Sequence, residues 1–207
     1  SNVIKIEGVK QLGQSDYTAI TDRIEAGTYM LAAAATGGNV VIKNVIPEHL
    51  KAITAKLIES GAEVEEGNDW IRVKRDYNIK PLYIKTLPYP GFPTDMQAQF
   101  MAYLCCAEGS SIITESVFEN RYMHVAELSR MGAKIKAEGR TAIIKGVNEL
   151  SGARVKATDL RAGAALLIAA LTARGTSIIS NSEHIDRGYE NIVERLNHLG
   201  ADISIKS

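Results

Sequence analysis

Three Thr-Asp pairs stand directly ahead of apolar, alanine-rich stretches. They are Thr21-Asp22 before the run to Ala35, Thr94-Asp95 before the run to Ala107, and Thr158-Asp159 before the run to Ala173. Side-chain oxygens at such places accept from the orphan N–H groups of a helix start. Thr94-Asp95-Met96-Gln97 and Asp22-Arg23-Ile24-Glu25 both have capping-box spacing. The plainest use of the three aspartates is therefore as N-caps. The chemical use is different: a carboxylate at the mouth of a buried helix can accept from the hydroxyl of a substrate. The second pair suits that use best, because Tyr89-Pro90-Gly91-Phe92-Pro93 ahead of it is a rigid loop.

Arginines come next. Arg121 and Arg187 hold corresponding places, just before or at the start of a second helical pattern. A helix N-terminus disfavours a cation, so an arginine there either pairs locally, with Glu119 or Asp186, or helps the dipole to bind an anion. Arg161 follows Asp159 by two residues, near a buried helix start where an isolated charge is costly.

Other reactive types point nowhere in particular. His49, His124, His184 and His198 show no metal-ligand spacing. Cys105 and Cys106 are adjacent within an apolar helix, which suits inert core thiols rather than a bridge or a nucleophile. No phosphate-binding glycine loop or nucleophile elbow is present.

The elements that position these residues recur three times. Each apolar stretch ends near a glycine (Gly37, Gly109, Gly175) and is followed by a β-branched run at Val40–Ile42, Ile112–Thr114 or Ser177–Ile179. A second, amphipathic helix then ends in Gly61-Ala62, Gly132-Ala133 or Gly200-Ala201. Leu50, Ile53 and Leu57 share one face of the first copy, and Ile192, Leu196 and Leu199 one face of the third. Strands are expected at Glu63–Glu66, Lys134–Ala137 and Asp202–Lys206. Turns at Gly67-Asn68-Asp69 and Glu138-Gly139-Arg140, where Gly or Asn supplies positive φ, lead to further strands at Trp70–Val73 and Ala142–Ile144. Equivalent aspartates are 73 and 64 residues apart. The first helix of each copy is apolar all round and belongs in the interior.

The expected fold is thus one α/β domain of three repeated units (21–75, 94–146 and 158–207), helices inside and β-sheets outside, with pseudo-threefold symmetry. Residues 1–20 read as a linker plus a strand from the edge of another domain, since Ile6-Glu7-Gly8-Val9 resembles Ile144-Lys145-Gly146-Val147. The third copy lacks a closing strand. Val3–Ile6 could fill that gap, or the edge near Ile203 and Ile205 stays open to pairing between molecules. Open ends of this kind suggest a piece of a longer protein.

Composition bounds the rest. In 207 residues, Lys plus Arg number 24 and Asp plus Glu number 24, so net charge is zero. That argues against a nucleic-acid or anionic-membrane binder working through whole-chain charge. The longest apolar run, Ala162–Ala173 between Arg161 and Arg174, is 12 residues long, too short for a bilayer. With no start resembling a signal peptide and no disulfide framework, the expectation is a reduced, cytoplasmic protein.

Phe92–Phe100, Phe118–His124, Leu128–Ala133, Ala157–Arg161 and His184–Glu190 resemble the UDP-N-acetylglucosamine 1-carboxyvinyltransferases, within the enolpyruvyl transferase family. The resemblance runs over nearly the whole chain and corresponds to the C-terminal half of those enzymes. It implies a cleft between two similar domains. There enolpyruvate moves from phosphoenolpyruvate to the 3′-hydroxyl of UDP-N-acetylglucosamine, through a tetrahedral intermediate and without metal or organic cofactor. That reaction begins peptidoglycan synthesis, hence cell-wall formation, shape and division. By resemblance Asp95 binds the sugar hydroxyl and takes its proton, and Val117 is a backbone contact to the UDP-sugar. Asp159, Arg161 and Arg187 lie near the reacting centre, Arg187 on the phosphoenolpyruvate side, and Arg121 is a further basic position. The N-terminal domain, with its reactive loop, is the absent partner. Neither Cys105 nor Cys106 corresponds to the family's loop cysteine, so the chain alone is expected to be inactive. The alternatives are a 5-enolpyruvylshikimate-3-phosphate synthase-like transferase and a non-catalytic binding domain of the same fold.

Overall fold

A computed structural model describes residues 3–76 and 78–206. The first two residues of the expected linker and the last residue of the third repeat therefore lie outside the described residues.

Helix α1 (Arg23–Thr36) leads to β1 (Asn39–Lys43), a 3₁₀ turn (Pro47–Leu50), α2 (Lys51–Glu59), β2 (Glu63–Glu66) and β3 (Trp70–Lys74). After β4 (Tyr83–Lys85), a 3₁₀ turn (Thr94–Met96) runs into α3 (Gln97–Leu104), then β5 (Ser110–Thr114), α4 (His124–Arg130), β6 (Lys134–Glu138) and β7 (Thr141–Lys145). Last come β8 (Arg154–Lys156), α5 (Leu160–Thr172), β9 (Ile178–Ser180), α6 (Glu183–Asp186) and α7 (Ile192–His198).

Three helices make the centre. α1, α3 and α5 pack on one another, and every residue of α3 and Ala162–Ala169 of α5 are buried. Glycines on α1 and α5 let the flanking helices α2 and α6 approach closely. A Cβ on Gly163 would lie 2.6 Å from Ile185 Cγ1, and one on Gly27 2.8 Å from Ile53 Cδ1, so each glycine admits a neighbouring helix. The sheets lie outside. One has the order β1-β3-β2, all antiparallel. The second has the order β4-β5-β7-β6, with β4 parallel to β5 and the rest antiparallel. The third is the parallel pair β8-β9. Strand burial alternates, as in β7 with Ala142 and Ile144 buried and Ile143 exposed, which is the pattern of a sheet with one solvated face.

Several expectations change. The strand expected at Asp202–Lys206 does not form; among the described residues β9 is paired only with β8. The Asn197 amide takes the place of a strand there, donating to Ile203 O at 2.8 Å and accepting from Ile203 N at 2.9 Å. Val3–Ile6 does not fill the third sheet either: residues 3–20 carry no helix or strand and are exposed. β4 and β8 were not anticipated, although Tyr83-Ile84-Lys85 and Arg154-Val155-Lys156 each place one buried apolar residue between two exposed ones. The second helix of the third copy, α7, starts only after Asn191, which sits at φ 51°, and a short α6 precedes it. Leu199 falls past the end of α7 and is exposed, so only Ile192 and Leu196 form its buried face. Gly139 turns the β6–β7 hairpin at φ 57° as expected. Gly67 does not use positive φ; a Cβ there would meet the Trp70 indole at 2.1 Å.

Candidate functional site

The three aspartates divide by local backbone. Asp22 and Asp159 stand one residue ahead of α1 and α5 in extended conformation, and their carboxylates turn back to the helix. Asp22 Oδ1 accepts from Ile24 N at 2.7 Å, and Asp159 Oδ1 from Arg161 N at 2.9 Å and Ala162 N at 3.0 Å. They are caps. The start of α3 differs, because Pro93 takes the cap position and the 3₁₀ turn already begins at Thr94. Asp95 therefore lies inside the first turn, and among the described residues no backbone N–H binds its carboxylate.

That carboxylate is held by two arginines instead. Arg121 Nη2 donates to Asp95 Oδ1 at 3.0 Å, and Arg161 Nη2 donates to Asp95 Oδ2 at 3.3 Å. Arg121 comes from the loop before α4, and Arg161 from the first turn of α5. The side chains are about one-fifth (Arg161) to two-fifths (Asp95) exposed, so the triad sits at the surface end of the buried helices. Arg121 does not pair with Glu119, which is bonded to Arg140. Its guanidinium carbon lies 4.8 Å from the centre of the Phe118 ring.

Behind the triad is a buried polar layer that the sequence did not reveal. The Tyr189 hydroxyl, in a residue 1% exposed, meets Thr28 Oγ1 of α1 at 3.0 Å, Gln99 Nε2 of α3 at 3.4 Å and Arg161 Nη1 of α5 at 3.5 Å. One hydroxyl thus joins all three central helices near their N-terminal ends. The other layer centres on Glu115, just past β5 and 1% exposed. Its Oε1 accepts from Thr86 Oγ1 at 2.7 Å, Val117 N at 2.8 Å and Phe118 N at 3.1 Å, and its Oε2 from Thr94 Oγ1 at 2.6 Å. Burial alone would raise the Glu115 pKa, but these donors outweigh it and hold the group below the ordinary carboxylate range. His124, at the start of α4, is pushed down to about 4 by burial; the neighbouring Asp159 raises and Arg121 lowers it, and Nε2 has no partner among the described residues. Glu115 directly follows the β-branched run Ile112–Thr114, and that placement is the one signal in the sequence that could have found it. Nothing in the spacing marked Tyr189.

Of the expected site residues, Asp95, Arg121 and Arg161 are bonded together. Asp159 joins them through the backbone of Arg161, and Val117 through Glu115. Arg187 does not join: it follows α6, is exposed, and its side chain makes no hydrogen bond or ion pair with another described residue. The cysteines are remote in chemistry as well. Burial pushes the Cys105 thiol up to about 12, and its Sγ–H donates to Met101 O at 3.2 Å. Cys106 is shifted upward too, first by burial. Two open surface hollows beside α7 and Ile205 hold none of the triad. The geometry of the triad suits an anionic or hydroxylated ligand: two guanidinium groups that can release one carboxylate contact each, and a carboxylate free of any capping duty.

Residues 1–196 match the family model described as EPSP synthase (3-phosphoshikimate 1-carboxyvinyltransferase). UDP-N-acetylglucosamine 1-carboxyvinyltransferase 1 of Caldanaerobacter subterraneus subsp. tengcongensis is 58% identical over 98% of this chain, which spans 49% of that protein. UDP-N-acetylglucosamine 1-carboxyvinyltransferase of Desulfofundulus thermocisternus is 56% identical over 98% of this chain, which spans 84% of it. Among solved structures, the enolpyruvyl transferase NikO from Streptomyces tendae superposes with a TM-score of 0.82 at 29% identity, covering 91% of this chain and 45% of that one. The chain spans about half the length of most of the curated relatives it matches.

Proposed function

The chain belongs to the EPSP synthase family of enolpyruvyl transferases, and we propose that it forms the acceptor-binding wall of a UDP-N-acetylglucosamine 1-carboxyvinyltransferase. A second domain, N-terminal in the longer relatives, supplies the opposite wall of the cleft. The observation that carries this reading is Asp95: its carboxylate caps no helix and is suspended between Arg121 and Arg161.

The chemistry follows from those groups. The acceptor hydroxyl enters beside Asp95 and takes the place of one arginine N–H donor. As the hydroxyl oxygen bonds to C2 of phosphoenolpyruvate, its proton passes to the carboxylate while C3 takes a proton from solvent or from an acid of the second wall. Loss of phosphate and of a C3 proton from the tetrahedral adduct then restores the enol ether. Arg121 and Arg161, freed in part from Asp95, and the unpaired Arg187 are suited to the phosphate and carboxylate charge. Asp159 keeps α5 and hence Arg161 in register. The Val117 N–H is already taken by Glu115, so a ligand contact at that backbone runs through its carbonyl, which accepts. The parent enzyme acts in peptidoglycan synthesis in the cytoplasm, and the chain alone, lacking the second wall, does not turn over. Among the described residues no helix is long and apolar enough to cross a membrane.

Calorimetric titration of the chain tests the acceptor. UDP-N-acetylglucosamine is expected to bind in preference to shikimate 3-phosphate, and the reverse order moves the assignment to the shikimate branch of the family. Phosphate release from the pure chain that requires both substrates would overturn the inactivity. The high identity to enzymes named for the UDP-sugar is what favours that acceptor.

A further inference from the structure

We propose that Glu115 is a positioning residue that sets the guanidinium of Arg121, and through it Asp95, by fixing the direction of the Thr94 hydroxyl. The proposal rests on the acceptor-binding role given to Asp95 above.

A hydroxyl has one proton and can accept with its lone pairs. Thr94 Oγ1 has two partners here, Glu115 Oε2 at 2.6 Å and Arg121 Nη1 at 2.7 Å. A guanidinium only donates, and an ionised carboxylate only accepts. The Thr94 proton must therefore go to Glu115, and its lone pair must face Arg121. The ionised state of Glu115 is what makes this order the single consistent one, and three further donors maintain that state. The same carboxylate acts on Arg121 from a second side. It binds the backbone N–H of Phe118, whose ring lies against the guanidinium. Of the three groups that meet Arg121 (Thr94, Asp95 and Phe118), two are thus placed by Glu115. Arg121 is left with Nη2 aimed at Asp95 Oδ1.

A turn-capping role alone would require only that an acceptor stand at Oε1. The relay requires more: an acceptor, not a donor, at Oε2. Glu115→Gln keeps an amide oxygen for Thr86, Val117 and Phe118 but turns an NH₂ donor on Thr94. That hydroxyl then faces donors on both sides and its proton has no acceptor. Thr94→Val removes the link, and Thr94→Ser keeps it.

The test compares these variants and the Glu115→Gln/Thr94→Val pair by the ¹⁵N signal of the Arg121 side chain in the ligand-free chain, and by UDP-N-acetylglucosamine titration. Glu115→Gln and Thr94→Val are each expected to shift and broaden the Arg121 signal and to raise the Kd roughly tenfold. The double variant should match the singles, and Thr94→Ser should match the native chain. An unchanged Arg121 signal in Thr94→Val overturns the proposal, as do additive effects in the double variant. If Glu115→Gln fails to fold by circular dichroism, Thr94→Val against Thr94→Ser decides alone. Should the native chain bind no UDP-sugar, the functional assignment fails, while the ligand-free Arg121 signals still decide the relay.

Discussion

Arg161 reaches Asp95 across 66 residues of chain, Nη2 to Oδ2 at 3.3 Å. The contact ties the first turn of α5 to the first turn leading into α3. The Arg161 side chain, about four-fifths buried, keeps a second acceptor in the Tyr189 hydroxyl at 3.5 Å.

Removing Asp95 should therefore affect binding more than stability. Asp95→Ala leaves two arginines facing each other, but the carboxylate is partly exposed and solvent screens the loss. We expect a change of about 1 kcal/mol or less in urea unfolding and a clear weakening of UDP-N-acetylglucosamine binding by calorimetry. Unchanged binding removes Asp95 from the acceptor site.

Tyr189→Phe should behave in the opposite way. It deletes the hydroxyl that meets α1, α3 and α5 while keeping the ring. Thr28 still donates to Ile24 O at 2.9 Å, so one partner is not orphaned. The expected cost is about 1–2 kcal/mol in denaturant unfolding. A neutral substitution would show that the hub only fills space.

Gly163→Ala tests the close approach of α5 and α6. The added methyl meets Ile185 side-chain carbon at 2.6 Å. Overpacking of this kind costs about 1–3 kcal/mol. Pairing it with Ile185→Val should recover part of the loss in thermal unfolding, and no recovery would place the strain elsewhere.

The pH dependence of stability has two components of the same sign. The folded pKa of His124 is pushed from an ordinary 6.5 to about 4, chiefly by burial, with the Asp159 charge raising it and the Arg121 charge lowering it. The unfolded chain therefore binds the proton first, and stability falls as pH drops from 6.5 toward 4, by on the order of 3 kcal/mol at the low end. Glu115 is also depressed, so its stabilisation holds above the ordinary carboxylate value and is lost as pH falls through the folded one. Urea midpoints across pH 4–7 should show this slope. His124→Gln should flatten its upper part, and an unchanged slope would assign the effect to other groups.

The sequence determined which helices are interior and where they begin. Helices with no polar stripe, such as Ala162–Leu171, have no face to give to water, and Thr-Asp marks the start of α1 and α5. Capping by Asp22 and Asp159 was legible for the same local reason. The residues around Asp95 were legible as a set because their types and motifs were quotable one by one. What only the tertiary structure decided is how those groups are joined. Whether Asp95 caps or binds depended on Pro93 advancing the helix start by two residues. Whether Arg121 pairs with Glu119 depended on a loop folding back to Thr94. The roles of Glu115 and Tyr189 exist only because β5 and α6 carry them to partners dozens of residues away. Hydrogen bonds and ion pairs act over about 3 Å in space, and the order of residues along a chain carries that distance only within a helix turn or a hairpin.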